Sequence, residues 1–352
     1  MWKINEEFEK EYGYLFQPQE GKHKVPSDYL KKRQELPLNV KVYFTLNRIR
    51  QFYEMYKGKV YISNSGGKDS QVLKELVKSI YPNVLVVFVD TRMEIETREH
   101  AISQSDRVIY PKKYSYEIWK KYGLPFPSKQ QANFLYKVKN TNSDYLRDRL
   151  MTGIMKDGTK TMFKLAEKWK PLLDTEFNFS DRCCYYLKKE PFLRFNKETG
   201  LVPFLGSMAD EGMERKKMYM QKGCINLDKK QCMPLGFWTE QDILQFIKEN
   251  NLNYCKSAYG DIIEVNGKLT TTKAKRTGCF NCLYGIHLEQ QPNRLQRMKE
   301  THPTMWQSLI VGQKIGKLLD MYNIPYGKEE LKQKEDGIPP TSKEVGILPK
   351  II

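Results

Sequence analysis

Two groups of residues in this chain combine types and spacings that can do chemistry. The first is "SNSGGKDS", residues 63–70. Gly66 and Gly67 remove side chains so that backbone N–H groups can approach an anion, and Lys68 adds a mobile cation. Ser63, Ser65 and Ser70 add hydroxyl donors. That inventory suits phosphate. It is not the common phosphate loop, which needs G-x-x-x-x-G-K-[ST], because Asp69 follows the lysine. Asp69 alone reads as a helix cap.

The second group is cysteine. "DRCCYYLK" carries Cys183 and Cys184, and "RTGCFNCLYG" carries Cys279 and Cys282. Adjacent cysteines rarely form a simple disulfide with each other. A C-x-x-C can turn both thiolates toward one ion, and two pairs can complete a four-thiolate site for Zn²⁺ or an iron–sulfur cluster. Spacing does not separate those metals, and buried free thiols are the alternative. Cys224 is open between ligand, sulfur carrier and structural residue; Cys232 and Cys255 read as packing. His287 and His302 read as supporting or surface groups.

Composition limits the classes available. The chain has 352 residues, 40% of them hydrophobic, enough for a real core. The longest apolar run, "VLVVFV" at 84–89, is too short to span a bilayer, and the N-terminus shows no signal-peptide core. The expectation is a cytoplasmic protein with no membrane association. Seven cysteines then read as reduced thiols. A net charge of +17 favours polyanionic partners, nucleic acid above all. Lys268–Glu300 holds seven Lys/Arg against two Glu, so Arg276, Arg294, Arg297 and Lys299 are the candidate contacts.

These groups need elements to hold them. "KVYIS" and the continuous run "NVLVVFVD" read as strands buried on both faces of a parallel sheet, joined by the helix "KDSQVLKELVKSI". That strand–helix–strand unit predicts an α/β, doubly wound, mostly parallel sheet with helical N-terminal and C-terminal additions. "RVIYP" follows as a third strand, after a helix with Glu99 and His100, and "LVPFLGS" as a fourth. Between them, about 128–182 reads as mixed polar sequence. Residues 40–53 carry Val40, Val42, Leu46, Ile49 and Tyr53 near one helical face. Thr239 can cap a helix, with Asp242 returning the bond. The expected boundaries are 1–57 helical extension, 58–235 nucleotide-binding domain, 236–327 helical cysteine-containing region and 328–352 mobile tail.

"SGGKDS" resembles the pyrophosphate-binding PP-loop, S-G-G-x-D-S, of the adenine nucleotide α-hydrolase superfamily. More narrowly, the chain is similar to the phosphoadenosine phosphosulfate (PAPS) reductase-like family. "VFVDTRME" resembles the family's second-strand motif, "LGSMADEGMERKKMY" its G-x-R-x-x-E-S-x-x-R segment, and "MPLGFWTEQDILQFI" the segment that follows. Glu211 and Arg215 match family positions, while Ser207 and Gly212 stand where the motif has Arg and Ser. The resemblance implies ATP or an adenylyl sulfonucleotide held by Ser65, Gly66, Gly67, Lys68, Asp69 and Ser70, with Asp90 and Thr91 beside it and Mg²⁺ on the phosphates. It also implies Lys68, Asp69, Glu211 and Arg215 as catalytic groups. CC…CxxC is similar to the [4Fe–4S] ligand set of the adenylylsulfate reductase branch, with Zn²⁺ as the alternative.

The family's reductases use a tail cysteine as nucleophile, and no cysteine follows Cys282 here. The expectation is therefore an ATP pyrophosphatase that adenylates an acceptor such as nucleic acid and passes sulfur to it. That reading requires a sulfur donor or reductant protein, and oligomers are possible. The alternatives are a sulfonucleotide reductase using a thiol in trans and a non-catalytic nucleotide-binding regulator.

Overall fold

The computed structural model describes residues 4–16 and 25–328. The expected tail, 328–352, lies outside the described residues except for Lys328. Among the described residues no helix is long and apolar enough to cross a membrane. The described residues through Leu124, with Thr175–Cys279, form one compact unit; Pro125–Asp174, with those from Phe280 onward, form a second.

The first unit is built on a six-stranded sheet in the order β3-β2-β1-β4-β6-β5. Its strands are β1 (Val60–Asn64), β2 (Leu85–Val89), β3 (Arg107–Ile109), β4 (Val202–Leu205), β5 (Ile225–Asn226) and β6 (Gln231–Cys232). All neighbouring pairs are parallel except β5 with β6. β1 lies between β2 and β4, with Tyr61 level with Leu85 on one side and Pro203 on the other. The strand order therefore reverses at β1. In open α/β sheets that reversal opens a crevice at the carboxyl ends of the strands.

Alternation along β1 feeds two cores. Val60 and Ile62 join Val86 and Phe204 against the helices Leu38–Met55, Lys68–Ile80 and Glu240–Glu249, while Tyr61 and Val87 meet Phe195 on the opposite face. The buried face of Leu38–Met55 differs from the expected one. Val42, Leu46 and Tyr53 are only partly buried, and the core side is Val40, Phe44, Ile49 and Phe52, with Lys41 and Thr45. A lysine can lie on that face because Lys41 Nζ meets Asp242 Oδ2 at 2.7 Å. Asp242 also accepts from Thr239 N at 2.7 Å, completing the expected capping box.

A hairpin, β7 (Ile262–Val265) with β8 (Lys268–Thr271), adds a separate two-stranded sheet that the sequence reading did not anticipate. Asn266 and Gly267, both at positive φ, turn it. The second unit contains the helices Lys129–Asn140 and Asp144–Thr152, within the stretch expected to be mixed polar sequence, and Arg294–Thr301. Trp169 anchors it, with ring centroids 5.4 Å from Phe126, 4.9 Å from His287 and 4.8 Å from Tyr322.

Candidate active site

The loop after β1 is organised by Asn64, which is buried at the strand end. Its Oδ1 accepts from Gly66 N at 2.9 Å, Ser70 Oγ at 3.0 Å and Gln71 Nε2 at 3.3 Å. Its Nδ2 donates to Ser105 Oγ at 2.9 Å and Ala101 O at 3.3 Å. One amide thus braces the loop to two helices. Gly66 has φ +72°, and a Cβ there would stand 2.8 Å from both Thr97 O and Ala101 Cβ. Only glycine fits that bend. Gly206, just past β4, approaches from the other side, where a Cβ would lie 3.2 Å from Asp69 O. Ser65 Oγ accepts from Gly67 N at 3.3 Å and lies 3.2 Å from Ser70 Oγ. Ser63 stays within β1, level with Val87 and Leu205.

Gly67, not Asp69, caps the helix Lys68–Ile80. The expected capping role is corrected: Asp69 is already helical, in the first turn, where its charge suits the positive end of the dipole. Its Oδ1 is buried without a hydrogen bond, 3.4 Å from Lys68 Nζ. Lys68 is buried as well. Its Nζ lies 3.3 Å from Glu240 Oε1, donates to Lys275 O at 3.4 Å and sits 5.6 Å above the Tyr259 ring. Burial alone would lower the Lys68 pKa, but Asp69 and Glu240 outweigh it and hold the ammonium charged. Burial raises the Asp69 pKa, Lys68 opposes the rise, and Glu211 and Glu240 add to it. The site is thus one lysine among three carboxylates.

Glu211 closes the motif after β4: its side chain accepts from Met208 N at 2.8 Å and pairs with Arg215. Arg276 donates to the Glu211 carbonyl at 3.0 Å. Asp90 stands at the end of β2. It is buried, and Arg98 grips both its oxygens, Nε to Oδ1 at 2.9 Å and Nη2 to Oδ2 at 2.7 Å. Thr91 donates to Glu94. Glu240, Tyr259, Lys275 and Asn64 are site residues that sequence reasoning missed.

The cysteines divide between the units. Cys183 is buried and its Sγ accepts from Trp119 Nε1 at 3.4 Å; Cys279 Sγ lies 3.6 Å from Glu94 Oε1, which also pairs with Lys188. Cys184 is half-buried in the same unit, whereas Cys282 belongs to the other. Among the described residues no group of three or more His, Cys, Asp or Glu is gathered to hold a metal ion. Cys224, Cys232 and Cys255 lie in the hydrophobic core. Burial pushes the thiols of Cys224 and Cys232 up, away from the thiolate that nucleophilic sulfur needs.

Three residues of the basic run expected to face a polyanion also bond within the chain. Arg294 binds Glu289 and donates to Cys282 O at 3.0 Å, Arg297 donates to Pro292 O, and Lys299 donates to Gly327 O at 2.9 Å.

A phosphate-type loop thus stands at the switch point of a mostly parallel α/β sheet. The phosphoadenosine phosphosulfate reductase domain matches residues 133–282, a stretch that begins after the 63–70 loop and includes Glu211, Arg215 and the four paired cysteines. Over that stretch, fewer than half of its residues, the chain is similar to the PAPS reductase-like family. It is 24% identical over 288 residues to an uncharacterized protein of Methanocaldococcus jannaschii, covering 80% of this chain and 55% of that one. The chain thus spans about half the length of that relative. It is 21% identical over 224 residues to adenosine 5′-phosphosulfate reductase of Staphylococcus epidermidis, covering 62% of this chain and 73% of that one. The crystal structure of phosphoadenylyl-sulfate reductase from Candida auris, a phosphate complex, aligns with a TM-score of 0.35 and 14% identity over 69% of this chain and 98% of that one.

Proposed function

We propose that the chain is an adenylyl-nucleotide enzyme working at the α-phosphate, an ATP pyrophosphatase that adenylates an acceptor in preparation for sulfur transfer. The observation that carries this reading is Asp69 Oδ1, a buried carboxylate oxygen that faces only the Lys68 ammonium, at 3.4 Å, beside a loop that only glycine can form. Mg²⁺ is usually held by one or two carboxylates plus substrate phosphates, so Asp69 fits such an ion without a full protein cage. When bound, the ion would neutralise charge on the leaving pyrophosphate.

In this reading the loop N–H groups and Lys68 hold the β- and γ-phosphates, and catalysis is positioning and charge neutralisation. An acceptor oxygen attacks the α-phosphorus, the bond to the bridging oxygen of the β-phosphate breaks, and pyrophosphate leaves with that electron pair. Sulfur from a separate donor protein would then displace AMP. Arg215, steadied by Glu211, and Arg276 are the cations on the β4 side. The net charge of +17 supports a polyanionic acceptor, nucleic acid.

The second reading is reduction of an adenylyl sulfonucleotide by a thiol in trans, favoured by the name of the Staphylococcus epidermidis relative. Pyrophosphate release from ATP, assayed with and without nucleic acid, separates the two. Turnover of adenylylsulfate with a dithiol reductant and no ATP consumption would overturn the first in favour of the second.

A further inference from the structure

The segment leaving β3 carries an unusual surface. Tyr110, Tyr114 and Tyr116 are 52%, 51% and 58% exposed, three large rings open to solvent within seven residues. The Tyr114 and Tyr116 rings stack at 6.3 Å and 15°. Arg92, held at φ +59° just beyond β2, places its guanidinium 5.2 Å over Tyr114 and donates to its hydroxyl at 3.1 Å. Lys113 Nζ lies 5.0 Å over Tyr186, and Lys112 is exposed beside it. Among the described residues none of Arg92, Lys112 and Lys113 forms an ion pair with a carboxylate. The nearby acid, Glu117, is occupied by Tyr114 N at 2.7 Å. Trp119, bonded to Cys183, fixes the helix Ser115–Tyr122 beneath this surface.

Because β1, β2 and β3 run parallel, these residues leave the sheet at the same edge as the 65–67 loop. Exposed aromatic faces interleaved with uncompensated cations are what a single strand of nucleic acid requires: bases stack on rings while phosphates meet Lys and Arg. A duplex hides its base faces, and an acidic peptide has no use for the rings.

We infer that Arg92, Lys112, Lys113, Tyr110, Tyr114 and Tyr116 form a docking platform for single-stranded nucleic acid beside the nucleotide site. Its functional meaning rests on the polyanionic acceptor of the reading above, but the binding is measured apart from turnover. The test is fluorescence anisotropy on the full chain, using labelled single-stranded DNA and RNA homopolymers of about 20 nucleotides and a duplex of the same length. ATP binding is followed in parallel by calorimetry.

The expected result is single-strand binding roughly tenfold tighter than duplex binding, weakened roughly tenfold by Tyr114→Ala with Tyr116→Ala and kept by the paired Phe substitutions. Lys112→Gln with Lys113→Gln should make the salt dependence shallower by about 1.4, from about 0.7 per phosphate on single strands. Equal binding of single strand and duplex with all variants unchanged overturns the platform, as does no binding at low salt while ATP still binds. Should the Ala pair also lose ATP binding, the Lys pair decides, and an unchanged salt slope then overturns the proposal. Expected single-strand binding without pyrophosphate release would instead remove the proposed reaction and leave the platform standing.

Discussion

Glu240 Oε1 stands 3.3 Å from Lys68 Nζ, so the first residues of two different helices meet across the crevice beside β1. Lys68 is thereby held in place before any phosphate arrives. Replacing it with methionine should lower turnover of ATP by about 100-fold or more, since a charge aimed at phosphate in a buried site is worth several kcal/mol. Glu240→Gln keeps the shape and removes one counter-charge. A change within about tenfold, mostly in KM, is expected by steady-state pyrophosphate assay.

Gly66→Ala tests the loop. The added methyl meets Thr97 O and Ala101 Cβ, and the positive φ adds strain of about 1–3 kcal/mol. Nucleotide binding should be lost in calorimetry, with the thermal midpoint reduced by a few degrees. Gly67→Ala, whose Cβ would lie 3.2 Å from the Tyr259 hydroxyl at an ordinary φ, should be milder.

Lys41→Met leaves Asp242 buried without its cation. Breaking a buried pair from one side costs about 3–5 kcal/mol, and the loss should appear as a lower denaturation midpoint. Adding Asp242→Asn should recover part of it, because the amide still returns the bond to Thr239 N without carrying charge.

Acid should loosen the wall behind the loop. Burial, with Lys74 nearby, lowers the pKa of His100, which lies on the helix holding Thr97 and Ala101. The unfolded chain then binds the proton more readily than the folded one, so this stability is present above the ordinary histidine pKa of 6.5 and is lost as pH falls through the depressed folded value. Thermal melts at stepped pH should show His100→Gln with a shallower decline than the parent chain. Equal slopes would remove His100 as the cause.

Strands β1 to β4 were readable as short β-branched and aromatic runs, whereas the two-residue strands β5 and β6, Ile-Asn and Gln-Cys, carry no such signal; SGGKDS stood out because glycine and lysine at a strand-to-helix corner are rare without purpose. The partners did not. Glu240 looked like an ordinary first-turn acid, and its meeting with Lys68 spans most of the unit. Asn64 looked like one more loop residue, though its amide satisfies five neighbours. For Asp90, nothing local announces that Arg98 folds back over it. The basic run near the C-x-x-C shows a related limit: charge can be counted in sequence, but whether an arginine faces solvent or a carbonyl cannot. The Asn266-Gly267 turn is a different failure, since alternating residues on either side of N-G were in plain view.

The bond between Lys41 and Asp242 also has a consequence in time. The two are 201 residues apart. At synthesis rates of about 5–20 residues per second, the lysine waits roughly 10–40 s for its counter-charge. β4, the neighbour that encloses β1, is also made late. The nucleotide crevice is therefore completed only near the end of translation of this unit, and a stalled or shortened chain would leave the ribosome with β1 bare along one side.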